Sequence, residues 1–435
     1  MSLRHPCADT ATLAAHVARL PLWSLTVCTV IVAACAAHAD RVLTFSGSVV
    51  GREADVLATQ IARFRKLHPS IHVEIRATPD AADQRHQLYV QWLNARASEP
   101  DVLQVDVIWT PEFAAAGWIA PLDRFAPPVA DFFPATVAPH RWKGSLFALP
   151  WFVDVGMLYR RTDLVPREPR DLDDLRQLAA DAMRDGHVPF GLVWQGARYE
   201  GLVTTFLEYL GAFGGAILDG GGRVVVDREP AVRALTFMRD AIDVDHVVPP
   251  AVLTWQEEQT RFAFQNGQAA FMRNWPYAYE LLQDRSQSAV AGRFAVAAMP
   301  ATTDGMPTAA LGGSALAINA HSDQPDDAYQ LIAYLLQPEQ MIERARIAGQ
   351  YPPRPALYQD SALAGALPIP PASALAVIEH ATPRPVTPVY NELSELLQVS
   401  LHRALTGQQE PRAALRDAAA SMRALLARAQ LAPAS

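Results

Sequence analysis

The sequence predicts an α/β chain of two lobes, and three observations lead there. At 435 residues the chain exceeds the size at which one hydrophobic core stops growing. From residue 41 it alternates strand-like and helix-like periodicity, the pattern of a right-handed parallel crossover. A continuous apolar run, DVLQVDVIW over 101 to 109, carries an acid near its C-terminal end, where open α/β sheets bind their ligands.

The elements follow in order. RVLTF (41 to 45) is a short apolar strand, and GREADVLATQIARFRKLHP then sets Ala54, Leu57, Ile61 and Phe64 at helical spacing, closed by Pro69. IHVEI (71 to 75) alternates apolar and polar as a half-buried strand does. The strand over 101 to 109 holds Asp106. After a proline-rich loop, GSLFALPWFVDVGMLYRR (144 to 161) reads as two strand-like runs around Pro150, the second containing Asp154. Burying an unpaired carboxylate is costly, so Asp154 needs a partner, either a local hydrogen bond or a ligand. A helix from about Asp171 to Gly186 leads to a strand at FGLVWQG (190 to 196), and FGGAILDGGGRVVVD (213 to 227) reads as a turn-rich hairpin. Helical periodicity covers 230 to 243 and 255 to 266. FAVAAMP (294 to 300) and SALAINA (314 to 320) are strands separated by the pair Gly312-Gly313. DQPDDAYQLIAYLLQPEQM (323 to 341) reads as one capped amphipathic helix, and the tail from Tyr390 as mostly helical.

Half of the residues are hydrophobic and 19% charged, the composition of a folded soluble body rather than a disordered one. A net charge of −8 offers no attraction to nucleic acid or an anionic membrane and favours neutral over anionic ligands. Cys7, Cys28 and Cys35 all precede residue 36, so the body has neither a disulfide framework nor a cysteine metal site. That same region reads as an export signal over 1–39, leading to a periplasmic product: Arg4 and Arg19 precede an apolar run from Leu20 to Ala34 that is short for a membrane span. VAAC (32 to 35) fits lipid attachment at Cys35, whereas AHA (37 to 39) fits release of a soluble protein at Asp40.

Catalytic signatures are missing. The sequence has no nucleophile elbow, phosphate loop, zinc-protease helix or dinucleotide turn, and His68, His72, His86 and His140 lack metal-ligand spacing. No cofactor or metal is expected. Glu53, Asp106 and Asp154 could converge at strand ends, which keeps a secreted glycosidase open. The stretch RNWPYAYE (273 to 280) gathers three rings around Pro276, a residue suited to a helix start. It is either a packed aromatic corner or a stacking platform for a ligand with apolar faces and polar edges. Acids that accept, arginines that donate and rigid rings together suit neutral saccharides.

Several stretches, in order, resemble one family: GREADVLATQIARFRKLHPSIHVEI, ALPWFVDVGMLYRRTDL, VWQGARYEGLVTTFLEYL, FQNGQAAFMRNWPYAY, ALGGSALAI and ATPRPVTPVYNELSE. They are similar to the successive blocks of the trehalose/maltose-binding proteins, extracellular solute-binding proteins that serve ABC sugar importers. The resemblance implies a two-lobed periplasmic-binding-protein fold with a hinge and an interlobe ligand cleft. It places one lobe at 40–152 and 313–360, and the other at 153–312 and 361–435. It implies a monomer that binds trehalose or maltose without covalent chemistry, closes, and docks on the membrane permease. The implied ligand contacts are Glu53, Arg85, Asp106, Asp154, Trp275, Tyr277, Gly313 and Arg384, with Phe152 and Ser314 at two points of departure. Relatives often carry tryptophan where this chain has Ser314, and tyrosine where it has Phe152, so the preferred disaccharide stays open. Trp151 is either a replacement ring or a packed one.

Overall fold

Strand β1, Arg41–Gly47, opens the part of the chain that the computed structural model describes, residues 41–186, 188–302 and 309–431. The export segment, its cysteines and both cleavage points lie outside these residues. The helix Glu53–Leu67 follows because Val56, Leu57, Ile61 and Phe64 recur on one buried face. β2 (Ile71–Ala77), the helix Ala82–Asn94 and β3 (Val102–Asp106) complete the first crossovers. β1 and β3 are parallel neighbours, with Phe45 opposite Val102.

β4 (Ala148–Val155) corrects the reading of two runs around Pro150, because the proline lies inside a single strand. On the partner strand, Phe152 faces Ser314 and Pro150 faces the next residue, Ala315, so Trp151 is the extra residue of a bulge. A bulge tolerates proline because the ladder needs no donor there. The break comes instead at Gly156, where the chain passes to β5 (Met157–Arg161). A Cβ at Gly156 would lie 1.7 Å from Glu208 Oε1, so the crossing requires glycine.

β6 (Phe190–Val193), the helix Glu200–Ala212, β7 (Ala269–Asn274) and β8 (Phe294–Ala298) follow. The expected hairpin over 213 to 227 is closed by one bridge, Leu218 to Val224. The glycine pair does not precede a strand but lies within β9, Ala310–Ile318. The single helix expected over 323 to 341 is two, Pro325–Leu335 and Pro338–Ala348. Pro338 cannot donate and holds Gln337 extended, and no side chain caps the first helix at Gln324. β10 (Thr382–Pro383) precedes the long helices Tyr390–Leu405 and Pro411–Arg428.

These strands sort mainly into two sheets. One runs β10-β9-β3-β1-β2, with β4 also paired to β9; the other runs β8-β5-β7-β6. Each has its own core, with Leu43, Phe45, Phe64 and Leu316 on the first and Leu158, Leu192, Phe271 and Met272 on the second. The chain crosses between them at Gly156, between β8 and β9, and again after β10. This is a two-lobed α/β fold whose lobes are joined by several crossing segments.

Candidate functional site

β9 organises the site. Its register sets Ser314 opposite both Asp106 on β3 and Phe152 on β4, and Gly312 opposite Asp154. Gly313 between them has φ +118°, and a Cβ there would lie 2.2 Å from the Phe152 carbonyl oxygen, so only glycine fits. A cavity of about 250 Å³ opens over these rungs. Glu53, Arg85, Asp106, Phe152, Asp154, Trp275, Tyr277, Gly313, Ser314 and Arg384 all line it. Trp151 does not: it is buried beside Phe45, with the Arg344 guanidinium 3.7 Å from its ring centroid.

Trp275 follows directly on β7, and the next helix, Ala278–Gln283, begins just beyond Pro276. The Trp275 carbonyl accepts from Tyr159 Oη at 2.8 Å, and its N–H donates to Asn274 Oδ1 at 2.8 Å. One face of the indole is occupied, because the Arg273 guanidinium lies 3.9 Å from its ring centroid. Arg273 is fully buried and cannot wander: Nε donates to Glu208 at 2.8 Å and Nη1 to Gln195 at 3.0 Å. The half-buried ring therefore turns a fixed remaining surface to the cavity. Tyr277 is a wall rather than an open platform, since it is 6% exposed and its hydroxyl donates to Glu258 at 2.6 Å. Tyr279 packs edge-on against Phe294.

The acids fall into two clusters. In one, Arg384 Nη2 donates to Asp106 Oδ1 at 2.7 Å and Nη1 to Glu200 Oε1 at 2.9 Å, and Glu200 also accepts from Tyr390 at 2.8 Å and from Ser394. Burial raises the Glu200 pKa against the pull of Arg384, while the Arg384 pKa is raised despite burial by Asp106 and Glu200. In the other, Gln350 donates to Glu53 Oε1 at 2.6 Å and accepts from Arg344. Asp154 Oδ1 is buried with no hydrogen-bond partner among the described residues. Burial, then the charges of Glu53 and Asp106, push the Asp154 carboxyl up to about 8. Burial also raises Glu53 and lowers Arg344 to about 10. Arg85 lies with its guanidinium 5.3 Å from the Trp109 ring centroid and donates to the Pro79 and Asp80 carbonyls.

The sequence reading missed Gln104, Glu200, Glu257, Glu258 and Gln350 on the walls and Arg273 and Arg344 behind them. Glu200 had a signal, an acid opening the mostly apolar helix 200 to 212. Arg344 had none, because ERAR in a helix reads as a solvated face.

The family model described as bacterial extracellular solute-binding protein matches residues 51–342. The chain belongs to this family. A protein of Deinococcus radiodurans described as "Probable ABC transporter-binding protein" is 36% identical over 399 residues, covering 88% of this chain and 93% of that one. Maltose-bound MalE3 of T. maritima is 40% identical with a TM-score of 0.85, covering 88% of this chain and all of that one. The GacH receptor of Streptomyces glaucescens, at 24% identity and a TM-score of 0.80 over 89% of this chain and 98% of its own, shares the fold. As an extracellular solute-binding protein of the ABC-transporter type, built like MalE proteins, the chain is not an enzyme, and the glycosidase alternative falls. No helix among the described residues is long and apolar enough to cross a membrane.

Proposed function

We propose that this protein is the periplasmic binding component of an ABC sugar importer, a monomer that captures trehalose or maltose in the cavity and closes to present it to the permease. The observation that carries this reading is the pairing of a cation-backed indole, Trp275, with the carboxyl oxygen of Asp154 that has no partner among the described residues, in one cavity. A glucose unit has C–H faces for the ring and hydroxyls that both donate and accept. Maltose in the related MalE3 supports the same ligand class. We place the lobe boundaries at the crossings described above, at Gly156, between β8 and β9, and after β10, rather than at 152/153, 312/313 and 360/361. Ligand contacts from both lobes favour the shut state, which is how binding drives closure.

The test is a thermal-shift screen against trehalose, maltose and other disaccharides. A ligand at a hundred times its Kd adds about 2.7 kcal/mol of stability by mass action, so a binder raises Tm by several degrees. A panel in which no saccharide moves Tm sinks the reading.

A further inference from the structure

A second, smaller cavity adjoins the first. Phe152, Gly312, Ser314 and Arg384 line both, and the rest of its wall is mainly apolar, with Val107, Pro139, Pro150 and Leu311 prominent. Most polar groups on it are engaged: Ser314 Oγ accepts from Gln104 at 3.1 Å, and Thr136 donates to the Phe133 carbonyl at 2.9 Å. His140 is different. Its ring is completely buried, with Nδ1 held 2.9 Å from Thr110 Oγ1, while Nε2 has no partner among the described residues. Arg384 Nε is likewise buried without a partner. Burial lowers the His140 pKa to about 3, so the ring is neutral, and Nε2 donates or accepts according to the role Thr110 takes. A buried nitrogen left unpaired on a cavity wall calls for a ligand atom.

We propose that this side cavity is a specificity subsite of the saccharide site, taking one hydroxymethyl arm of the bound sugar with its hydroxyl on His140 Nε2. It rests on the sugar reading above. The size fits: the cavity measures about 20 Å³. Since roughly 10–15 Å³ holds one water, about two heavy atoms enter and a sugar ring does not. The chemistry fits as well. A methylene suits the prolines and aliphatic walls, and a hydroxyl satisfies Nε2 in either tautomer, whereas a bare methyl leaves it unpaired. An anion would gain little, because Arg384 already faces Asp106 and Glu200.

Calorimetric titration of the mature protein with maltose, trehalose and their analogues deoxygenated at single C6 positions tests this. One 6-deoxy analogue should bind wild type about tenfold more weakly than its parent, and that difference should vanish in His140→Leu. Equal affinities for parent and every 6-deoxy analogue overturn the subsite, as does an undiminished difference in the variant. If His140→Leu does not fold, a crystal structure of the wild type with the sugar decides. A hydroxymethyl oxygen about 2.7–3.2 Å from Nε2 supports the proposal, and one placed elsewhere overturns it. Wild type that binds neither disaccharide overturns the sugar reading itself, and the subsite with it.

Discussion

Arg384 gives one nitrogen to Asp106 and another to Glu200, while Asp154, lining the same cavity, keeps a carboxylate oxygen without any partner among the described residues. Each cluster has an arginine, an aspartate and a glutamate, and the two differ in how far their charges are cancelled. Around Arg384 the bonds are closed by Tyr390 and Ser394, which ties the segment after β10 to the helices on either side. Around Asp154 the cation that most favours its charged form is Arg344, whose Nε and Nη1 themselves have no hydrogen-bond partner among the described residues. A closed cluster holds geometry. An open one offers hydrogen-bonding capacity that a polyhydroxylated ligand can fill, at the expense of stability while it is empty.

The largest effect should come from breaking the closed cluster. Glu200→Ala leaves Arg384 short of a buried counter-charge, and denaturant unfolding should show a loss of about 3–5 kcal/mol. A loss below about 1 kcal/mol would mean that the cluster is not structural.

Next comes the open side. A Cβ on Gly312 would meet Trp275 at 3.4 Å and Asp154 at 3.5 Å, so ring and acid work within one patch. Trp275→Ala or Asp154→Ala should weaken disaccharide binding roughly tenfold or more, about 1–3 kcal/mol, by calorimetry. Unchanged affinity in both variants would remove these residues from the site.

The smallest effect is on pH dependence. Asp154 is raised to about 8 in the folded protein and keeps an ordinary carboxylate value when unfolded. Between those values the folded state holds a proton that the unfolded chain has released, so stability falls as pH rises through the window and levels off above about 8. Burial raises Glu53, Glu200 and Glu257 in the same direction, so some slope belongs to them. Unfolding free energies of the unliganded protein at pH 6 and pH 8 should differ less in Asp154→Asn than in wild type. Equal differences would show that Asp154 is not held protonated.

Much of this was legible in the sequence because local pattern and tertiary role coincide. Asp106 ends an apolar strand, and an acid there has few places to point except out of the sheet's end. Trp275 stands beside a proline that forbids the helix from starting earlier. The misreadings share one cause, which is that context supplied what the local pattern lacked. Pro150 is accommodated by a bulge that exists only because β9 pairs with β4. The glycine pair belongs to a strand because β4 supplies its ladder, with Asp154 opposite Gly312 and Val153 opposite Gly313. Gln350, itself held by Arg344, reaches Glu53 from almost three hundred positions away, a separation at which sequence carries no signal of contact.

The guanidinium beneath Trp275 also gives the protein an optical signature. Indole emission follows the electric field across the ring, and the charge of Arg273, 3.9 Å away and locked by Glu208, sets that field from one side. Of the nine tryptophans in the sequence, Trp109, Trp151 and Trp194 are sealed from solvent, whereas the free surface of Trp275 exchanges solvent for whatever enters the cavity. Trp92, Trp118, Trp142 and Trp255 are half-buried too, so the expected signal is a ligand-dependent emission change that is lost in Trp275→Phe.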